Sequence, residues 1–124
     1  MTAVSIRDIR KVFGKNTVIL DDIDLEVASG EFVILVGSSG CGKSTLLNMI
    51  AGLDSPTAGS IRIGGRDVTH VPSKDRDIAM VFQSYALYPH MTVEQNIAFG
   101  LEVRKVPKAQ RDEAVQRVAK ILQI

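Results

Sequence analysis

A glycine-rich loop at residues 37–44 has the composition needed to bind phosphate. It reads Gly-Ser-Ser-Gly-Cys-Gly-Lys-Ser and fits the pattern G-x-x-x-x-G-K-[ST]. In such a loop the glycines allow close approach, and the backbone N–H groups converge on phosphate oxygens. Lys43 is expected to reach the β- and γ-phosphates of a nucleotide, and the Ser44 hydroxyl to ligate Mg²⁺. The pattern therefore predicts a site for a nucleoside triphosphate.

The segments on either side of this loop must hold it in place. Residues 32–36 are an unbroken apolar run, which predicts a strand buried on both faces of a sheet. Residues 45–50 favour a helix, whose first N–H groups and positive dipole end would face the same anion. A glycine–serine linker between a core strand and a core helix is the alternative, and this flanking context argues against it.

Two other positions are candidates for the same site. Phe13 ends the first predicted strand, just before a turn and Val18, and its ring can stack on a purine base. Gln83 closes a second apolar run, residues 78–82, at the strand end where ligands bind in open α/β sheets. Its amide can ligate Mg²⁺ or hold an attacking water. A core phenylalanine and a surface glutamine are the respective alternatives.

Composition and length exclude several classes of protein. The chain has 124 residues and a formal net charge of +1, which gives no electrostatic case for binding nucleic acid. The N-terminus lacks the apolar segment of a secretory signal, and no apolar stretch is long enough to span a bilayer. The cytoplasm is therefore the expected compartment.

The single cysteine, Cys41, excludes an internal disulfide and a cysteine metal cluster. Its position at a helix N-terminus can lower the pKa of the thiol. A small residue that simply fits the loop is the alternative interpretation.

Turn residues divide the rest of the chain into short elements. Strands are predicted at residues 4–13, 18–27, 60–63 and 67–69, with turns at 14–17 and 64–66. Gly52 is expected to end the helix after the loop. Thr92 and Gln95 have the spacing of a capping box, so a short helix should run from Val93 toward Phe99. Pro107 is expected to open a last helix, with an apolar stripe at Val115, Val118 and Leu122.

Two stretches of the sequence resemble a known family. GSSGCGKSTLLNMIAGLDSPTAGSI, residues 37–61, and DIAMVFQSYALYPHMTVEQNI, residues 77–97, are similar to the nucleotide-binding domain of ABC transporters. The likeness is strongest to the ATPase subunits of sugar importers of the maltose and glycerol-3-phosphate type. It extends from residue 4 to 122, and residues 82–90 discriminate better than the phosphate loop.

The resemblance implies an α/β fold of the P-loop NTPase class, made of three parts. Residues 1–30 and 53–76 would form mainly an antiparallel β subdomain. Residues 31–52 and 77–83 would belong to the P-loop core, and residues 84–124 would start a helical subdomain. Within residues 1–124 this gives the N-terminal portion of one ABC ATPase domain.

The resemblance also implies the ligands and the residues that bind them. The nucleotide would be ATP with Mg²⁺, and Phe13 would stack on the adenine. The nucleotide-binding set would be Phe13, Val18, Gly37, Ser38, Ser39, Gly40, Cys41, Gly42, Lys43, Ser44 and Thr45. Lys43 and Gln83 would be catalytic, with Ser44 and Gln83 as Mg²⁺ ligands. A membrane subunit would dock on Tyr85, Leu87, Tyr88, Pro89 and His90.

Three elements of that family are missing from residues 1–124. There is no LSGGQ-type signature, and the only Asp-Glu pair, Asp112-Glu113, does not follow an apolar strand. His70 and His90 are not placed as a switch histidine. The sequence is therefore expected to be an N-terminal fragment of a larger ATPase and unable to hydrolyse ATP by itself.

Two functions of different classes follow. The chain is part of a transport ATPase that powers import of a sugar or related solute, or it is a binding module for nucleotide or a partner without turnover. The first implies permease subunits and a second ATPase subunit as partners, and a location on the inner face of the cell membrane. A P-loop kinase or GTPase fits poorly, because no guanine-reading Asn-Lys-x-Asp occurs.

Overall fold

The computed structural model describes residues 2–124, which fall into one unit up to residue 80 and another from residue 81. The first unit is built on an antiparallel sheet with the strand order β2-β1-β3-β4. Its strands are β1 (Val4–Phe13), β2 (Thr17–Val27), β3 (Ala58–Ile63) and β4 (Arg66–Asp67). These are four of the six predicted strands, with the last one beginning one residue earlier than predicted and shortened.

The core of this unit lies between the sheet and helix α1 (Lys43–Ala51). β1 is the central strand, so Ile6 faces Leu25 of β2 on one side and Ile61 of β3 on the other. Ile6, Ile61 and Met49 of α1 are fully buried and belong to one apolar cluster. Burial of such side chains is worth about 1.5–3 kcal/mol each, which fixes the helix on the sheet.

The C-terminal end of α1 is closed by a glycine and an arginine. Gly52 has φ 73°, as predicted for a helix stop, and a Cβ there would lie 2.6 Å from Nε of Arg76. Arg76 is only 4% exposed and donates hydrogen bonds to the carbonyls of Met49 (2.7 Å), Ile50 (3.0 Å) and Val71 (2.8 Å). It therefore satisfies carbonyls that a helix end leaves unpaired, a role that the sequence did not indicate.

Two predicted strands are not formed. Residues 32–36 and 78–82 have no partner strand among residues 2–124, and most of their apolar side chains are exposed. Phe32 and Val36, for example, are 84% and 89% exposed. A strand needs a neighbour for its backbone N–H and C=O groups, and composition alone does not supply one. Apart from a short 3₁₀ turn at Ser73–Asp75, residues 68–92 contain no regular element.

The second unit contains helices α2 (Val93–Val103) and α3 (Lys108–Leu122). The capping box is confirmed, because Thr92 and Gln95 exchange both side-chain-to-backbone hydrogen bonds. Pro107 lies one residue before α3. In the predicted stripe Val115 is buried and Val118 half-buried, but Leu122 is exposed, so the stripe is shorter than expected. No helix in the described part of the chain is long and apolar enough to cross a membrane.

Candidate nucleotide site

The phosphate loop ends where α1 begins, and one glycine sets that junction. Gly42 precedes the helix with φ 96°, a conformation that favours glycine. A Cβ at this position would lie 2.7 Å from Cδ2 of Leu20 in β2. Any larger residue would therefore be strained by this backbone conformation and would require the Leu20 side chain to shift.

The N-terminal end of α1 is open to an anion. Within residues 2–124, no side chain caps this helix and its first turn contains no acidic residue. The unpaired N–H groups and the positive end of the helix dipole therefore favour negative charge at this place. This is the arrangement that the sequence pattern required of a phosphate site.

The ammonium of Lys43 lies across the loop. Its Nζ donates to the carbonyl oxygens of Gly37 and Ser38, both at 2.7 Å, and contacts Sγ of Cys41 at 3.3 Å. The hydrogen bond from Lys43 lowers the pKa of the exposed Cys41 thiol below its ordinary value. The Lys43 ammonium thus lies against the loop itself, next to the N-terminal end of α1.

A pocket of about 180 Å³ joins this loop to the end of β1. It is lined by Phe13, Ile19, Gly40, Gly42, Lys43, Ser44 and Thr45. Phe13 is 46% exposed as a residue, so it is available to a ligand as well as to the protein. Val18, predicted with Phe13, is exposed and does not line the pocket. Its neighbour Ile19 does, because successive side chains of a strand point to opposite faces.

Beside Phe13 lies a buried charge that sequence reasoning missed. The Lys11 side chain is 11% exposed and donates to Oδ1 of Asp54 at 2.6 Å and to the carbonyl of Ser55 at 2.7 Å. Its Nζ is 4.9 Å from the centroid of the Phe13 ring. The hydrogen bond from Lys11 lowers the pKa of the Asp54 carboxyl. The i, i+2 spacing of Lys11 and Phe13 on a strand was the available signal.

Gln83 belongs to the second unit, where it lies in an exposed turn. The predicted docking residues follow it and differ in their packing. Tyr85 and Leu87 are exposed, whereas the ring of Tyr88 packs 4.6 Å from that of Phe99 in α2. Asn96 of α2 also bonds both backbone groups of Tyr88. Pro89 and His90 are exposed.

Metal binding by the protein alone has no support among residues 2–124, which contain no cluster of three or more His, Cys, Asp or Glu side chains able to hold an ion. Mg²⁺ in a nucleotide site does not need such a cluster, because phosphate oxygens and water supply most of its ligands. Ser44 fits this requirement, since it lines the pocket in the first turn of α1.

Residues 20–124 match the ABC transporter family, and the chain belongs to that family. Over all 124 residues it is 57% identical to the sn-glycerol-3-phosphate import ATP-binding protein UgpC of Burkholderia pseudomallei and 54% identical to that of Brucella abortus. The chain spans about a third of the length of these relatives, 34% and 35% respectively. The resemblance to sugar-importer ATPases inferred from the sequence is therefore confirmed.

Solved structures agree with this assignment. A dimeric ATP-binding cassette in a post-hydrolysis state, bound to ADP and Pi, superposes with a TM-score of 0.83 at 28% identity. The superposition covers 98% of this chain and 57% of that one. A second dimeric structure of the same protein, the bacterial ABC transporter cassette MJ0796, gives a TM-score of 0.81 at 29% identity, covering 97% and 56%. The predicted fold class is confirmed.

Proposed function

We propose that this chain binds ATP with Mg²⁺ as part of the ATPase subunit of an ABC importer for a sugar or related solute. The observation that supports this most directly is the pocket shared by Phe13 and the phosphate loop. An aromatic ring and an anion-binding helix end in one pocket match a ligand with a base at one end and phosphates at the other. Identity to import ATP-binding proteins favours this role over a separate binding module.

The phosphate loop and the other residues that line the pocket would bind different parts of the nucleotide. The phosphate loop would surround the phosphates with N–H donors and with the charge of Lys43. This set is Gly37, Ser38, Ser39, Gly40, Cys41, Gly42, Lys43, Ser44 and Thr45. Phe13 and Ile19 would contact the base. Ser44 would hold Mg²⁺. For Gln83 a role as Mg²⁺ ligand or as the residue that orients water is proposed from the family resemblance alone. The ion would neutralise charge on the phosphates.

The partners proposed for this function are membrane permease subunits and a second ATPase subunit, on the cytoplasmic side of the membrane. Exposed Tyr85 and Leu87 support docking at the segment after Gln83, because large apolar side chains in water favour a partner. Tyr88 would hold the segment on α2 instead. In an active transporter, a cysteine at position 85 should crosslink to the permease. A cysteine at the exposed position 113 of α3 is the control, and equal crosslinking would count against this surface.

We further propose that residues 1–124 do not hydrolyse ATP by themselves. Transfer of a phosphoryl group to water needs a residue that orients or deprotonates the water, besides Lys and Mg²⁺. Asp112 and Glu113 do not supply it, because they lie on the exposed face of α3. Asp112 is instead close to Lys108, with 3.9 Å between their charged atoms.

Calorimetric titration with MgATP tests both proposals on the 124-residue chain. Lys43→Ala should weaken binding by roughly tenfold or more, since it removes a charge-assisted contact to phosphate. Lys74→Ala removes an exposed lysine of the same unit and should change nothing. Equal affinity of wild type and Lys43→Ala would contradict the nucleotide site. Saturable, Lys43-dependent phosphate release from the same samples would contradict the second proposal.

A further inference from the structure

A charged side chain is buried next to the ring that lines the pocket. Burial of an ammonium is unfavourable unless it is paired, and Lys11 is paired twice, with the Asp54 carboxylate and the Ser55 carbonyl. Both partners come from the loop between α1 and β3 rather than from a neighbouring strand. The contact therefore connects the end of β1 to the segment that follows α1.

Two more hydrogen bonds reinforce the same connection. The N–H of Val12 donates to Oγ1 of Thr57 at 3.0 Å, and the N–H of Thr57 donates to the carbonyl of Arg10 at 2.8 Å. The regular pairing of β1 with β3 ends at Arg10 and Ala58. Beyond Arg10, the edge of β1 that would face β3 is thus held by the loop between α1 and β3. Lys11 makes the central contact of this connection.

The ammonium also meets the ring itself. Lys11 and Phe13 are two residues apart on one strand, so their side chains lie on the same side of the sheet. At 4.9 Å from the centroid, Nζ is within the range of a cation–π contact. Lys11 does not line the pocket, so its charge does not meet a ligand there directly.

We infer that Lys11 is a positioning residue for base recognition: bound to Asp54, it fixes the Phe13 ring at the mouth of the phosphate site. The inference rests on the proposed function. Its consequence is selectivity, because a fixed ring favours ligands that carry a base and is irrelevant to bare phosphate. Inorganic triphosphate separates recognition of the base from recognition of the phosphates, because it has the same phosphate chain as ATP but no base.

Affinities of MgATP and Mg-triphosphate should respond differently to Lys11→Met. This change removes the charge and keeps an unbranched side chain against the ring. We expect ATP affinity to fall about threefold to tenfold and triphosphate affinity to stay within about twofold, as expected for loss of a cation–π contact and of ordered stacking. A charge acting only through space would weaken both ligands alike, so a parallel loss would overturn the inference.

Arg10→Gln is the matched control. It removes another cation and ion pair from the same strand, since Arg10 pairs with Asp21 at 3.3 Å, but Arg10 points to the opposite face from Phe13. We expect no change in the ratio of the two affinities. A change equal to that of Lys11→Met would mean that any charge on β1 has this effect, and would overturn the inference.

A double-mutant cycle with Phe13→Ala completes the test. In the Phe13→Ala background, Lys11→Met should no longer change ATP affinity, because there is no ring to position. An undiminished effect would contradict the inference. If circular dichroism shows that Lys11→Met does not fold, Asp54→Asn replaces it; this change loosens the lysine and should lower ATP affinity alone. An unchanged ratio in Asp54→Asn would then overturn the inference.

These outcomes are separable from failure of the proposed function. If Lys43→Ala does not affect either ligand, the phosphate site itself is wrong. If Lys43 is required for both ligands but Lys11→Met leaves their ratio unchanged, the site is correct and Lys11 has only a structural role.

Discussion

The chain contains two kinds of apolar segment: one is paired and buried in the sheet, and the other is unpaired and largely exposed. The residues of β1 have partners on both sides, and Ile6 and Ile9 are fully buried. Residues 32–36 are more continuously apolar, yet Ile34 is 68% exposed and the segment has no partner strand among the residues described. Apolar composition therefore indicates that burial of a segment is favourable. Whether the segment becomes a strand depends on a neighbouring strand that can form hydrogen bonds with its backbone.

The phosphate loop lies between these two environments. Its C-terminal side continues into α1, which is packed on the sheet through Leu46 and Met49. Its N-terminal side continues from the unpaired residues 32–36. The site geometry described here thus depends on contacts from one side, made by β2 and by the α1 core. An exposed apolar segment of this kind also offers an edge for strand pairing.

The largest loss of stability should come from removing a buried side chain of the packed sheet. Ile61→Ala removes three buried carbon atoms from β3 and should lower the free energy of unfolding by about 2–5 kcal/mol. Ile34→Ala makes the same chemical change in the unpaired segment and should alter it by less than about 0.5 kcal/mol. Chemical denaturation of both variants checks this. A similar cost for the two would mean that residues 32–36 are packed in solution.

A smaller effect is expected at the boundary between the two environments. Arg76 donates hydrogen bonds to the end of α1 and lies two residues before the unpaired segment 78–82. Arg76→Met leaves the carbonyls of Met49 and Ile50 without this donor, which should cost about 1–3 kcal/mol.

Arg66→Met is the control for this prediction. Arg66 is exposed, and its guanidinium donates a hydrogen bond to the carbonyl of Asp75 at 3.2 Å. Arg66→Met should change the free energy of unfolding by no more than about 0.5 kcal/mol in the same denaturation measurement. If Arg76→Met were equally mild, water would be replacing the arginine, and the end of α1 would not be closed as described.

The sequence predicted best what is satisfied locally. The capping box at Thr92, the helix stop at Gly52 and the turn at Gly64 each depend on residues within a few positions, so their patterns are sufficient. The helix that directly follows the glycine-rich loop belongs to this group, since loop and helix start are adjacent in the chain.

Features that depend on distant partners were not accessible in this way. The strands at residues 32–36 and 78–82 were predicted from composition, without knowledge of a neighbour. The role of Arg76 was not predicted, because its acceptors in α1, the carbonyls of Met49 and Ile50, are 27 and 26 positions away. Lys11 was missed for the same reason, since Asp54 is 43 positions away. Long-range pairs need the fold before they can be recognised.

The smallest loss of stability should come from removing a local hydrogen bond, the cap at the N-terminus of α2. Thr92 Oγ1 accepts a hydrogen bond from the N–H of Gln95 at 3.2 Å, and Thr92→Ala removes it. The loss of such a cap costs about 1 kcal/mol, or about fivefold in the local opening equilibrium. Hydrogen exchange of the first-turn amides of α2 should accelerate by that factor, while amides of β1 stay unchanged. Thr92→Ser keeps the acceptor and should exchange like the wild type. Acceleration spreading to β1 would show that the two units open together, and that a local device in one supports the packed sheet of the other.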